Sequence, residues 1–228
     1  MSQLFQITHE VSTTVIHATN YTGQIGTDGT IVVGAALAGS YGLQTNITAN
    51  SYCYRNQTAP ASNEIGVGFR FRNRTLVMTD GDIFESLYVT CSNTPWRIAS
   101  LFIRRSGADI QAVVYSRNDA GTYAIVGAYT TIGTIAHTIE IYIKRATTNV
   151  AADGIVTWWL DGTQIGTLTN MDNYDAFALL VDLEIGCVTG RDAGTSGIVD
   201  YDDVTMRDDA TQVLDRVHQV RENTLLRM

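Results

Sequence analysis

A chain of 228 residues, 45% hydrophobic and 17% charged, is long enough for one large β domain and too apolar for a disordered one. Its net charge of −8 excludes the basic stripe that a phosphate backbone requires, so nucleic acid is not an expected partner. No apolar run approaches the roughly 18 residues of a membrane-spanning helix, and no membrane partner is expected.

The 20 glycines, only 2 prolines and abundant Thr, Val, Ile and Tyr favour strands joined by glycine turns. Three cysteines, Cys53, Cys91 and Cys187, have no metal-ligand spacing and form no disulfide framework, although one pair could form. Met1–Glu10 does not resemble a signal peptide. The expected location is therefore a virion or extracellular surface reached without a visible signal peptide, after cytoplasmic synthesis.

In chain order, Leu4–Ala18 reads as a strand and Tyr21–Gly34 as a hairpin turning at Thr27-Asp28-Gly29-Thr30. Gly39–Leu43 is a small-residue turn feeding a further strand. From Glu64 the alternation is strict: Ile65, Val67, Phe69 and Phe71 share one face, and Gly66, Gly68, Arg70 and Arg72 the other. With Arg74, these arginines form either a local basic strip or a solvated outer face. Leu76–Met78 and Phe84–Val89 flank the turn Thr79–Asp82, and Trp96–Arg104 and Ala112–Ser116 flank Arg105–Asp109. Tyr123–Tyr129 follows.

In the next hairpin His137, Ile139, Ile141 and Ile143 face one way, and Thr138, Glu140, Tyr142 and Lys144 the other. Its return strand, Ile155–Leu160, sets Trp158 and Trp159 on opposite faces before the tight turn Asp161-Gly162-Thr163. Gln164–Leu168, Ala176–Ile185 and Gly197–Met206 complete the strands. Turn signals every 8–12 residues mark a sandwich or barrel. The expected fold is all-β: a two-sheet antiparallel jelly-roll sandwich over residues 1–208, with a short C-terminal helical tail over 209–228. Val213, Val217 and Val220 form one face of that tail, and a helix so short needs a partner to pack on. They are the candidate interface with other protein subunits.

His137–Tyr142, Asp153-Gly154-Ile155-Val156 and Trp159-Leu160-Asp161-Gly162 together resemble the central hairpin of concanavalin A-like, laminin-G-like jelly rolls. Gly39–Leu43 and Tyr201–Val204 resemble their opening turn and closing strand, and the likeness spans Leu4 to Asp208. The resemblance implies a lectin-like sandwich. It also implies a structural calcium held by an N-terminal acid and a C-terminal Asp, here Glu10 and Asp202. The E-x-D-x-x-E run of the family's hydrolases is missing, and Glu184 in Asp182-Leu183-Glu184 comes nearest to it.

Asp80, Asp82 and Glu85 could supply a carboxyl pair, but a Thr-Asp-Gly-Asp turn uses acids for its own geometry. His137 and Glu140, three apart on a strand, point to opposite faces and cannot form a dyad. Asp200, Asp202 and Asp203 read as calcium ligands or as a solvent-facing acidic strand end. Aromatic rings give the better sites: Trp96, Trp158, Trp159 and Tyr174 are the candidate carbohydrate platforms, with at most one of Trp158 and Trp159 in the core. The expectation is a protein without enzymatic activity. It would be a lectin-like assembly component, such as a phage capsid-decoration or tail protein that self-associates or docks on virion neighbours. The alternative is a carbohydrate-binding module reading a surface glycan.

Overall fold

Ile65, Val67, Phe69 and Phe71 are all completely buried, so the alternating run read from the sequence lines the centre of the core. The computed structural model describes residues 3–8, 23–25, 29–48, 53–92 and 94–209. Among them, in chain order, are strands β1 (Gln3–Ile7), β2 (Gly23–Ile25), β3 (Gly29–Val32), β4 (Gly42–Ile47) and β5 (Cys53–Ser62). Next come β6 (Glu64–Asn73), β7 (Ile83–Cys91), β8 (Thr94–Ser106), β9 (Asp109–Arg117) and β10 (Tyr123–Thr131). The last are β11 (Ala136–Lys144), β12 (Gly154–Leu160), β13 (Thr163–Met171), β14 (Leu180–Thr189) and β15 (Gly197–Arg207).

They form two antiparallel sheets. The first runs β13-β12-β11-β6-β15-β4-β3, with β1 added on β15; the second runs β10-β9-β8-β7-β14-β5-β2. The all-β, two-sheet architecture is the one expected. Residues 210–228, with Val213, Val217 and Val220, lie outside the described residues, as does Glu10.

Three buried contacts stitch the sheets together. At the centre, Tyr201 of β15 donates its hydroxyl to the Gly186 carbonyl of β14 at 3.0 Å and shares a 2.7 Å bond with Ser86 of β7. At one side Trp158 of β12 is fully buried and donates its indole N–H to the Val126 carbonyl of β10 at 2.6 Å. There Gly127 and Gly166 touch backbone to backbone: a Cβ on Gly166 would stand 2.2 Å from the Gly127 Cα. Only glycine permits that approach.

Two expected elements differ. Tyr21–Gly34 is not a hairpin, because β2 pairs with β5 in the second sheet while β3 pairs with β4 in the first. The two neighbouring strands therefore belong to different sheets. Leu76–Met78 makes only an isolated bridge, Val77 to Ser196, although Leu76 and Met78 are buried. Burial of two alternate residues sufficed for a strand-like pattern without a ladder partner.

Candidate functional site

The outer face of the second sheet carries the chemistry, and an irregularity in β7 arranges it. Glu85 pairs with Phe102 and Leu87 with Leu101, so Ser86 is an extra residue in a β-bulge. Ser86 turns inward to Tyr201, which resets the alternation. Glu85 and Tyr88, three apart in sequence, therefore share the outer face. Register places Glu184 of β14 beside Tyr88, with Ser100 on its other flank and Tyr115 one strand further.

Glu85 is completely buried. Arg97 reaches across the Tyr88 ring, its guanidinium carbon 4.5 Å from the ring centroid, and sets Nη1 2.7 Å from Glu85 Oε2. Neither Glu85 oxygen has an aligned hydrogen bond among the described residues. Burial pushes the Glu85 carboxyl up to about 7; the neighbouring Ser100 and Arg97 oppose that rise, and the Glu184 charge adds to it. A carboxyl that titrates near neutrality can take or give a proton at working pH.

Beside this acidic half lies a cation–aromatic half on β8, β9 and β10. Arg104 Nε donates to Gln111 Oε1 at 2.9 Å, and its guanidinium carbon stands 3.1 Å from the Tyr129 ring centroid. Tyr129 and Tyr115 share a short hydroxyl–hydroxyl bond. Burial first, then Tyr129, pushes the Tyr115 hydroxyl up to about 12, so it stays protonated. Arg117 lies over the Tyr123 ring at 5.2 Å, and Tyr123 and Ile125 are exposed at the sheet edge. Rings and guanidiniums gathered on one sheet face suit an extended sugar chain with acidic groups.

The residues singled out from sequence fare differently. Trp158 is a core residue and no platform; its neighbour Trp159 is half-buried on the outer face of the first sheet, opposite Glu140. The backbone of Trp96 belongs to β8, and its side chain lies outside the described residues. Tyr174 lines a separate cavity.

The Asp202 carboxylate is engaged by backbone donors. Its Oδ2 accepts the Leu37 and Ala38 N–H groups at 2.9 Å each, and its Oδ1 accepts the Asp203 N–H at 2.8 Å. Glu10, the other expected ligand, lies outside the described residues. No group of three or more His, Cys, Asp or Glu among the described residues could hold a metal.

The basic strip and the acidic strand end are two halves of one ladder. Arg72 and Arg74 clamp the buried Asp200 at 2.7 and 2.8 Å, and Arg70 pairs with Asp203 at 3.0 Å. Neither a free basic surface nor a solvated acidic one exists there, because β6 and β15 are neighbours.

His137 has a partner that strand periodicity could not supply. Its Nδ1 lies 2.7 Å from Asp161 Oδ2 across the hairpin, and its Nε2 accepts the Gly133 N–H at 3.2 Å. With both nitrogens engaged, the pair locks the turn. Asp80 and Asp82 serve turns as expected, bonding the Gly107 N–H at 2.6 Å and the Thr79 N–H at 2.8 Å. Glu85 is the acid of that group which the face uses.

No family model and no curated protein matches the sequence. Solved structures do match. An endo-β-1,4-glucuronan lyase from the fungus Trichoderma reesei superposes with a TM-score of 0.64 at 14% identity, covering 91% of this chain and 96% of its own. The chain has the concanavalin A-like sandwich fold. A carbohydrate esterase from the Shiga toxin-encoding bacteriophage phi24B matches at TM-score 0.59 and 15% identity, covering 90% of this chain and 97% of its own. The binding domain of a botulinum neurotoxin of serotype D/C matches at TM-score 0.62 and 10% identity, over 98% of this chain but 52% of its own. The expectation of a protein without enzymatic activity is corrected here, since a lyase and an esterase share the fold over nearly their whole lengths. A missing hydrolase motif spoke only to hydrolases that carry it.

Proposed function

We propose that the chain is a polysaccharide-active enzyme of the lyase type, acting on a uronate-containing chain laid across the outer face of the second sheet. The observation that carries this reading is Glu85, a fully buried carboxyl on an outer sheet face, titrating near 7 beside a single arginine. In β-elimination a base removes the proton next to the uronate carboxyl group, the electron pair forms a carbon–carbon double bond, and the glycosidic oxygen leaves with a proton. Glu85 accepts the first proton. Arg104, steadied by Gln111, holds the uronate carboxylate and acidifies that carbon. Tyr115, protonated at neutral pH and bonded to Tyr129, serves the leaving oxygen.

Arg97 covers Glu85, so an incoming carboxylate must draw Arg97 away to expose the base. The likeness to a glucuronan lyase supports the substrate class. The test is a panel of polyglucuronate, alginate and polygalacturonate, followed by the ultraviolet absorbance of the new double bond. Turnover should rise with pH through about 7 as Glu85 ionises, and Glu85→Gln should lower it by about 100-fold or more. New reducing ends without absorbance would mean hydrolysis and replace this reading; no cleavage of any polymer would remove it.

A second reading concerns where the enzyme works. The match to a bacteriophage carbohydrate esterase favours a virion-borne protein that meets a surface glycan beside other virion subunits. Such a subunit should self-associate. Light scattering that finds a strict monomer at high concentration would count against it.

A further inference from the structure

A cavity of about 350 Å³ opens where β6 and β11 end, lined by Asn63, Glu64, Lys144, Arg145, Thr147 and Tyr174. Of its lining, Glu64 and Lys144 are on strands of the first sheet, whereas Glu85 and Arg104 sit on the second. That volume is at the lower end of small-molecule pockets, roughly 300–1,000 Å³.

Its walls are fixed by hydrogen bonds between neighbouring loops. Asp119, in the turn after β9, accepts three successive backbone N–H groups, from Tyr174, Asp175 and Ala176, at 2.9, 2.8 and 2.9 Å. Asn173 is completely buried and accepts the Ala146 N–H at 2.7 Å. Arg145 donates to the Tyr174 carbonyl at 2.9 Å and to Asn63 Oδ1 at 3.2 Å, with its guanidinium carbon 3.8 Å from the Tyr174 ring centroid. Its Nε is buried without a hydrogen-bond partner among the described residues. A loop held this way loses little freedom when a ligand arrives.

The lining carries two cations and one carboxylate, with the Asp153 carboxylate bonded to Thr147 at its rim and within range of the Lys144 charge. Glu64 is engaged by the Tyr142 hydroxyl, which donates to its Oε2 at 2.5 Å. Two cations, Lys144 and Arg145, share the cavity with this one occupied carboxylate. Lys144 is the only lysine of the whole chain, set among 14 arginines (15 basic residues less one lysine). An ammonium is a compact point charge on a flexible stem, able to swing to an anion that a fixed guanidinium cannot follow.

We propose that this cavity binds a single acidic sugar residue, its carboxylate on Lys144 and Arg145 and its hydroxyl-bearing ring against Tyr174 and the Asn63 amide. The site is independent of the reactive face. It would hold one end or one branch of an acidic glycan while the second sheet works elsewhere on the polymer.

The experiment uses the full chain and D-glucuronate as probe, followed by backbone amide shifts in nuclear magnetic resonance. Glucuronate should shift the amides of residues 144–147 and 174 saturably, and D-glucose should not. Lys144→Ala should weaken binding at least tenfold, Lys144→Arg should restore part of it, and Glu85→Gln should leave it unchanged. Should Lys144→Ala fail to fold, Lys144→Gln reads the same loss of charge. Glucuronate binding that persists undiminished without the lysine would overturn the proposal. So would no saturation, equal binding of glucose, or equal binding of acetate, since acetate carries the charge without the ring. A chain that cleaves no polymer yet binds glucuronate here would keep this site and lose the lyase reading. The reverse outcome separates them equally well.

Discussion

Each sheet has a completely buried carboxylate on its outer face, Asp200 on the first and Glu85 on the second, and the two are satisfied in opposite ways. On the first, Asp200 Oδ2 accepts three aligned bonds from Arg72 and Arg74 at 2.7–2.8 Å, while its Oδ1 has the Arg74 ion pair alone. On the second, Glu85 has one guanidinium contact at 2.7 Å and no aligned hydrogen bond among the described residues. Burial raises the pKa of both, but at Asp200 two arginines oppose it and at Glu85 only one does. A carboxylate with two arginines is part of the scaffold. One left short of partners is poised to exchange protons, and the cost of leaving it so falls on stability.

The comparison breaks most visibly at Asp200. Asp200→Ala strands Arg72 and Arg74 against each other beside the Gly34 carbonyl, to which both also donate. Breaking a buried pair in this manner costs about 3–5 kcal/mol. Denaturant unfolding should show that loss, with turnover per folded molecule unchanged. A cost below about 1 kcal/mol would mean that the ladder is ornamental.

Glu85→Gln should do the opposite. The native pKa is raised from 4.5 to about 7, so the native state holds this proton more tightly than the unfolded chain does. The group's contribution to stability is full below pH 4.5, declines as pH rises towards 7, and is gone above it. A shift of that size corresponds to roughly 3 kcal/mol. Glutamine carries no charge, so the variant should match the natural protein near pH 4.5 and be the more stable of the two at pH 8. The gain is at most that figure, less whatever the Arg97 contact contributes. Unfolding curves across this range give the difference directly, and a constant offset at every pH would show that Glu85 does not titrate as described.

How far this contrast was legible in the sequence depends on bulges. Strict alternation identified β6, β11 and the inward faces of both, because Ile65 to Phe71 and Ile139 to Ile143 follow period two without interruption. The turn at Asp161-Gly162 was equally plain, and both residues adopt positive φ, 51° and 75°. Glu85 reads in the sequence as one of a carboxyl pair with Asp80 and Asp82, set aside in favour of turn geometry, since the Ser86 bulge that aligns it with Tyr88 leaves no mark in the pattern. Arg70, Arg72 and Arg74 and the acids of β15 were each noticed, but their meeting depends on which strands are neighbours, a long-range choice that local periodicity does not encode. Arg97, Arg104, Gln111 and Tyr115 lie on two strands, with Gln111 directly opposite Arg104, and only the assembled sheet makes them one surface.

A smaller effect sharpens the second sheet's side of the comparison. Tyr115→Phe removes one hydroxyl of the Tyr115–Tyr129 pair and leaves the ring packed edge-on against Phe102 at 5.3 Å. Stability should change by about 1 kcal/mol or less, the usual worth of one hydrogen bond. Turnover should fall by about 100-fold if that hydroxyl serves the leaving oxygen. Equal losses in Tyr115→Phe and Tyr129→Phe would mean that the pair acts as a unit.

The smallest effect belongs to Trp159, and it decides which sheet meets the polymer. Trp159 is half-buried on the outer face of the first sheet, opposite Glu140 on β11 and Gln164 on β13. Its ring contributes cross-strand packing of about 1 kcal/mol or less, whereas Trp158, one residue earlier, fills the core and bonds the other sheet. Trp159→Ala should therefore cost little stability and leave the KM and kcat for polymer unchanged, because every group assigned to the reaction stands on the opposite face. A rise in KM with kcat preserved would show that the substrate also wraps the first sheet. The aromatic platform would then lie where Trp159 stands, and the cation–aromatic half around Arg104 would no longer account for polymer binding by itself.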